Sequence, residues 1–262
     1  MEVYKSLTPD MNANAIGGYV NMELREAPEG FRTDILAQSG YTAKSGKYGN
    51  YRFVAAASDR FLDGDLGVYV LANAQSYDRN ADNMSAAYSP QSSIVQADGF
   101  RPVIVTSVTL NRHLETRNRY GGNLIVDFRL PSGTLKMINV LSRLSSDYKD
   151  YQQILDYQFH NINFRYRQGL NKTDMAMNSL EYENDFGFMS AEVKLANSYS
   201  RNYTPGLPQF DFSQTGGIPG TTVVNAVPEA LVSGINYLCA SRTYLSNVSL
   251  FSASYKQNAQ IL

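Results

Sequence analysis

Alternation of apolar and polar residues is the feature of this sequence that most restricts its fold. In the run Asn123–Leu130 every even position is apolar, whereas Asp127 and Arg129 occupy odd positions. A period of two places successive side chains on opposite sides of an extended strand. The same alternation recurs in Phe31–Tyr41 and Phe188–Tyr199, and no amphipathic helix of convincing length interrupts it. The sequence therefore predicts an all-β fold.

Tight-turn signals separate the alternating runs. Leu62-Asp63-Gly64-Asp65 stands between the strand-like runs 51–61 and 66–77, and this is the strongest hairpin signal in the chain. Pro131-Ser132-Gly133 and Gly187 mark two further turns. Together they predict an antiparallel up-and-down meander of roughly seven to nine strands, each about 8–16 residues long.

Other segments look irregular. We expect long loops at about 79–101 and 200–236, where the sequence is polar or broken repeatedly by Pro and Gly. In the run Tyr151–Gln168 the apolar parity switches, and we interpret the switch as a β-bulge or as a tall strand that leaves a membrane. Gly169–Asp174 is predicted to be a turn.

The bulk composition excludes several classes of protein. No apolar run approaches the roughly 18–20 residues of a membrane helix. A mean hydropathy of −0.32 still allows a membrane barrel, because half of each barrel strand is polar. The net charge of −1 argues against a nucleic-acid-binding protein. Cys239 is the single cysteine, so an intrachain disulfide is impossible and no paired-cysteine metal site exists.

The sequence carries no catalytic signature. His113 and His160 each stand alone in a strand-like run, and no nucleophile elbow, zinc-protease motif or phosphate loop is found. Glu181, Glu183 and Asp185 alternate on one face, and in a barrel they would be polar, lumen-facing positions. We therefore expect no enzyme activity, no catalytic residues, no cofactor and no metal site.

The opening of the chain contains a more specific stretch, Leu7–Met22, which reads LTPDMNANAIGGYVNM. Its Thr8-Pro9-Asp10 segment favours a turn, because Pro fixes φ and Asp can bond its own backbone. Gly17-Gly18 permits backbone conformations and close approaches that other residues resist. Tyr19–Met22 then reads as a short strand.

This stretch resembles the end of the plug domain in TonB-dependent outer-membrane receptors, where a similar segment leads into the first barrel strand. The matching plug-to-barrel residues are Leu7, Pro9, Asp10, Met11, Ala13, Ala15, Ile16, Gly17, Gly18, Val20 and Asn21. The resemblance implies that residues 1–27 end the plug and that residues 28–262 form the N-terminal part of a transmembrane β-barrel. Because Met1–Lys5 lacks an apolar signal segment, we expect the chain to be a fragment of a longer receptor.

The same resemblance implies a function. TonB-dependent receptors in the Gram-negative outer membrane take up a scarce ligand, such as a siderophore-bound metal, a vitamin or a glycan, with energy supplied through TonB. The expected partners are outer-membrane lipid, TonB (through a plug region outside this sequence) and the small-molecule or glycan ligand, but no nucleic acid. The sequence does not identify the ligand-binding residues. Alternatives are a passive porin or adhesin-type barrel, and a soluble β-rich ligand-binding domain.

Overall fold

The structure, a computed structural model, describes residues 2–4, 19–21, 27–91, 95–97, 99–218, 224–232 and 243–261. The elements are β1 (Glu2–Tyr4), β2 (Tyr19–Asn21), β3 (Arg32–Thr42), β4 (Lys47–Phe61), β5 (Leu66–Asp78), β6 (Ala81–Pro90), β7 (Val103–Leu130), β8 (Gly133–Asp156), β9 (Asn161–Asp185), β10 (Ser190–Thr215), α1 (Pro228–Val232) and β11 (Thr243–Ile261).

The strands form two antiparallel sheets. β1 and β2 make a small pair, and the other nine strands make one sheet in the order β11-β10-β9-β8-β7-β5-β4-β3. β6 continues the line of β5 beside the first half of β7. In the described residues this sheet ends at β3 and β11 and is not closed into a barrel. The predicted all-β antiparallel meander is therefore confirmed.

The two ends of the sheet differ in their connections. At one end, β4–β5, β7–β8 and β9–β10 are joined by turns of two to four residues. The β4–β5 turn has positive φ at Leu62, Asp63 and Gly64, as its predicted Asp-Gly signal requires. The opposite end has the four-residue turns β3–β4 and β8–β9, but it also carries β6, the connection from β6 to β7 and the long connection from β10 to β11. We call these the short-turn end and the long-loop end.

Strands β7–β11 are longer than the predicted 8–16 residues, whereas β3–β6 fall within that range. β7 has 28 residues and joins two runs that the sequence had separated. Gly121 and Gly122 lie inside it, where each packs closely against a neighbouring strand. The loop predicted at 79–101 contains β6, and the loop predicted at 200–236 begins only after β10 ends at Thr215.

The interpretation of Tyr151–Gln168 was wrong. β8 ends at Asp156, β9 begins at Asn161, and the parity switch is the hairpin turn between them rather than a bulge. His160 lies in this turn with φ of 56°, so it is not a strand residue. Gly169–Asp174 lies inside β9 and is not a turn.

A small apolar core lies at the long-loop end. Val108, Leu155 and Ile162 are fully buried there and pack with Val105 and Ile218. The segment that contains α1 covers them, and the Tyr157 hydroxyl donates a hydrogen bond to the Leu231 carbonyl at 3.1 Å. None of the helices within the described ranges is long and apolar enough to cross a membrane.

Candidate functional site

The plug-to-barrel motif is described only in part. Asn21 lies at the end of β2, where Tyr19–Asn21 pairs with Glu2–Tyr4. A strand at this position was predicted, and the structure has one. The other predicted motif residues lie outside the described residues: Leu7, Pro9, Asp10, Met11, Ala13, Ala15, Ile16, Gly17 and Gly18.

The two faces of the large sheet have opposite character. Directly opposite residues on paired strands project to the same side, so the pairing register assigns each side chain to a face. One face, here the apolar face, carries Val70, Leu124, Met137 and Leu195, all between 37% and 45% exposed. Apolar side chains exposed over so many adjacent strands mark a surface that contacts lipid or protein.

The apolar side chains form rows across β5, β7, β8, β9 and β10. The row nearest the short-turn end contains Leu66, Phe128, Leu135, Tyr182 and Val193. The next row contains Val68, Val126, Met137, Leu180 and Leu195. The fourth row contains Ala72, Gly122, Leu141, Ala176 and Tyr199. We call the surface from the first row to the row of Tyr120 the apolar band. On β8, β9 and β10 that last row, the edge of the band, carries Arg143, Asp174 and Arg201.

The height of the band fits a bilayer. On β7 it runs from Phe128 to Tyr120, and a membrane-crossing strand needs about 9–11 residues. At about 3.3 Å per residue, this stretch is roughly 26 Å long. Strands of outer-membrane barrels are tilted by about 35–45°, so this stretch spans roughly 20 Å of an apolar band that is about 25 Å tall.

One row in the interior of the band departs from this pattern. Asn139, Asn178 and Asn197 lie directly opposite one another on β8, β9 and β10, in the third row of the band. On β5 and β7 the same row contains Val70 and Leu124. The apolar band is therefore continuous on β5 and β7 but divided by amides on β8–β10.

The other face, here the charged face, carries buried ion pairs. At its centre His113 lies between two carboxylates: its Nδ1 is 2.6 Å from Asp150 Oδ1, and its Nε2 is 3.3 Å from Glu115 Oε2. Asp150 is 2% exposed and Glu115 is 8% exposed. We call these three residues, with the two arginines described next, the His113 network.

Two arginines complete the network. Arg167 donates two hydrogen bonds to Asp150 Oδ2, at 2.7 and 3.1 Å. Arg117 donates two to Glu115 Oε1, at 2.8 and 2.9 Å. The ring of Tyr148 stacks on His113 at 5.9 Å, and Arg167 lies 5.8 Å from the same ring. These contacts fix five side chains on β7, β8 and β9 at the long-loop side of the apolar band.

The network shifts the pKa values of its members. Burial alone would lower the pKa of His113, but the hydrogen bonds and charges of Asp150 and Glu115 outweigh it and raise that pKa. Burial alone would raise the pKa of Asp150, but His113 and Arg167 lower it below its usual value. The pKa of Glu115 is lowered against its own burial by Ser146, Arg117 and His113. Both ring nitrogens of His113 can donate only when it is protonated, so the geometry favours the imidazolium.

A second buried pair lies near the short-turn end. Arg60 donates to Asp127 Oδ2 at 2.5 Å, to the Gly64 carbonyl at 2.8 Å and to the Ala27 carbonyl at 2.8 Å. It thereby ties the segment before β3 to the charged face. Gly67, directly opposite Asp127, has no room for a Cβ because the carboxylate occupies that space.

In the described part of the chain, no three His, Cys, Asp or Glu side chains converge on one point. His113 holds its two carboxylates at opposite ring nitrogens, so they do not share a point with it. Glu181, Glu183 and Asp185 do fall on the charged face, with Lys194 opposite Glu181.

Sequence reasoning missed the His113 network. It treated His113 as solitary, because its partners lie two residues away on β7, or on β8 and β9. The available signal was the set of charged residues on one parity of β7, namely His113, Glu115 and Arg117. Asp150 becomes visible only once the β7–β8 register is known, and Arg167 only once the β8–β9 register is known.

No protein-family model, curated protein or solved structure matches this chain. The fold and the distribution of side chains over its two faces are therefore the basis for assigning a function.

Proposed function

We propose that this chain is part of a TonB-dependent receptor of the Gram-negative outer membrane, with the large sheet forming part of its β-barrel. The observation that carries the proposal is the apolar band opposite a charged face. A barrel wall needs lipid-compatible side chains outside and polar ones inside, alternating along every strand. The rows across β5–β10 have this arrangement over a bilayer-like height.

The connections support the same orientation. Outer-membrane barrels have short periplasmic turns and longer extracellular loops, and the two ends of this sheet differ in the same sense. The short-turn end would then face the periplasm and the long-loop end the cell exterior. The His113 network would lie in the outer part of the lumen, beyond the apolar band.

The open edges support a larger barrel. A sheet exposed to lipid must have every backbone polar group paired, and closure achieves this. β3 and β11 end the described sheet, so further strands would close it. In the proposed receptor the segment tied to Arg60 at Ala27 leads from the plug into the wall.

The proposed activity is uptake of a scarce ligand, driven through TonB, without catalysis. The resemblance of Leu7–Met22 to the end of a plug supports energy coupling over passive diffusion. The ligand would be a siderophore-bound metal, a vitamin or a glycan. The charged face offers it polar contacts, whereas the apolar face contacts the outer membrane.

The test is to express the complete reading frame that contains this chain in a Gram-negative host and fractionate the membranes. We expect the protein in the outer membrane, with a folded form that migrates faster in SDS gels before heating than after. Recovery as a soluble periplasmic protein would contradict the membrane proposal and favour a soluble β-rich domain.

Energy coupling needs a separate measurement. Candidate ligands are supplied to cells with and without TonB, and accumulation is followed. We expect accumulation only with TonB. Equal accumulation in both strains would support a passive barrel, and an upstream reading frame without a plug would support the same conclusion.

A further inference from the structure

Three cations surround one carboxylate at the edge of the apolar band nearest the long loops. Arg143, Asp174 and Arg201 lie directly opposite one another on β8, β9 and β10, and Lys172 lies two residues along β9. We call Arg143, Lys172 and Arg201 the basic rim. With Asp174 the group has a formal charge of +2, so a single carboxylate leaves most of its positive charge uncompensated.

The side chains of the basic rim use only some of their hydrogen-bond donors in contacts with other described residues. Arg143 donates to Asp174 Oδ1 at 2.6 Å through Nε and to Oδ2 at 3.3 Å through Nη2, but its side chain is 63% exposed and its other donors have room for a ligand. Arg201 packs over the Tyr203 ring at 5.1 Å, and its Nε is buried with no hydrogen-bond partner in the structure. Lys172 acts electrostatically on Asp174 but forms no ion pair with any described residue. Donors therefore remain for an added anion.

A groove of about 680 Å³ begins at Arg143 and Asp174 and continues down into the apolar band. Its floor contains Gly122 and Ala176, whose small size leaves a depression between larger neighbours. Tyr120, Leu141 and Tyr199 form its sides. One end of the groove is lined by the Arg143–Asp174 pair, with Lys172 and Arg201 beside it on β9 and β10, and the rest is mainly apolar.

We propose that the basic rim and this groove bind a membrane lipid whose headgroup carries a phosphate. The phosphate meets Lys172, Arg201 and the free donors of Arg143, while an acyl chain lies over Gly122 and Ala176. Charge complementarity selects this occupant, because basic clusters at the membrane boundary bind anionic lipid headgroups. The site rests on the proposed function, since it assumes that the apolar band contacts lipid.

The position of the rim agrees with this ligand. Arg143 and Arg201 lie in the row of Tyr120, which follows the row of Leu141 and Ala176 toward the long-loop end. Tyrosines are enriched at membrane–water interfaces, where headgroups lie. A free phosphate would need only the cations, whereas the groove adds apolar surface worth about 0.8 kcal/mol for each CH₂ buried.

The experiment uses the product of the complete reading frame that contains this chain, purified in dodecyl maltoside micelles, with bound lipid counted by native mass spectrometry. Dimyristoyl phosphatidic acid is titrated beside dimyristoylglycerol, which has the same acyl chains without the phosphate. Inorganic phosphate is the third probe. We expect one phosphatidic acid to bind in preference to the diacylglycerol, and inorganic phosphate not to displace it.

The test variant is K172Q/R201Q, which removes two charges but keeps the Arg143–Asp174 pair. We expect roughly tenfold weaker binding of phosphatidic acid. R52Q/R119Q is the matched control, because both arginines are exposed on the charged face and their loss changes the net charge equally. A176L fills the groove without changing charge and should weaken binding of both lipids.

Three results would overturn the lipid site: equal binding of the two lipids, unchanged binding by K172Q/R201Q, or displacement by inorganic phosphate, which would indicate a site for free anions. The same spectra separate this failure from failure of the proposed function. A chain that retains no detergent lacks a lipid-compatible face. A chain that retains detergent without preferring phosphate refutes only the lipid site. Far-UV circular dichroism confirms that each variant keeps its β structure.

Discussion

Arg60 Nη2 lies 2.5 Å from Asp127 Oδ2, and the two side chains are 2% and 1% exposed. The pair joins β4 to β7 across β5, and Arg60 also holds the Ala27 carbonyl. Buried charges cost several kcal/mol each to desolvate, so such a pair is tolerated only while both members are present. The pair therefore ties the segment at Ala27, just before β3, to the charged face.

Replacing Arg60 with Ala should therefore destabilise the sheet strongly. Asp127 would be left as a buried charge without its cation, a change that costs about 3–5 kcal/mol in comparable cases. The measurement is equilibrium unfolding of the chain in detergent by guanidinium, followed by circular dichroism. R52A is the matched control, because Arg52 lies on the same strand and face but is exposed. Similar losses for R60A and R52A would show that the buried pair has no special role.

The His113 network should make stability depend on pH. The pKa of His113 is raised above its ordinary 6.5, so its contribution is complete below that value and is lost as pH rises through the folded-state pKa. Thermal unfolding followed from neutral to alkaline pH should show this loss. H113Q should be less stable at neutral pH and should show a smaller decline. If the stability of H113Q declined with rising pH as steeply as that of the wild type, the decline would come from another titratable group.

The two carboxylates of the network act in the opposite direction. Asp150 and Glu115 have pKa values lowered below 3.8 and 4.5, so their contribution is present above those values and is lost as pH falls through the folded-state values. The network should therefore stabilise the sheet most at pH values between the lowered pKa values of the two carboxylates and the raised pKa of His113. D150N keeps the shape of Asp150 but leaves Arg167 without its anion. We therefore expect the unfolding temperature of D150N to depend less on pH in the acid range than that of the wild type.

The strands were predictable wherever one parity is consistently apolar. The alternation in Asn123–Leu130 and the Asp-Gly signal at 62–65 correspond to β7 and to the β4–β5 turn. Both are local properties: a period of two and the need for positive φ. The resulting antiparallel meander follows because short turns can join only antiparallel neighbours.

The hairpin between β8 and β9 was not predictable in the same way. Its turn, Tyr157–His160, contains neither Gly nor Pro, and a change of parity looks the same for a turn as for a bulge. Asp156 stabilises the turn by accepting hydrogen bonds from the Gln158 and Phe159 backbone at 3.0 Å. The His113 network and the basic rim were likewise hidden, because each depends on the register between strands.

The Asn row supplies a test of the apolar face. An amide without a partner in an apolar environment costs about 1–3 kcal/mol, so N178L should raise the unfolding temperature of the chain in detergent. N123L is the control, because Asn123 lies on the charged face. An increase for N178L alone supports contact of the apolar face with hydrocarbon. A decrease would instead show that the row of Asn139, Asn178 and Asn197 stabilises the sheet.

Gly169 and Tyr148 provide a test of how the His113 network is positioned. They are directly opposite on β9 and β8, and the Tyr148 ring lies over Gly169 where a Cβ would collide with it. G169A should displace the ring from His113 at a cost of about 1–3 kcal/mol. Because the collision involves the far end of a side chain, the cost should be much smaller in the Y148A background. A double-mutant cycle of unfolding free energies measures this coupling. Additive losses from G169A and Y148A would show that Leu207, which also lies close to that Cβ position, is the relevant obstacle instead.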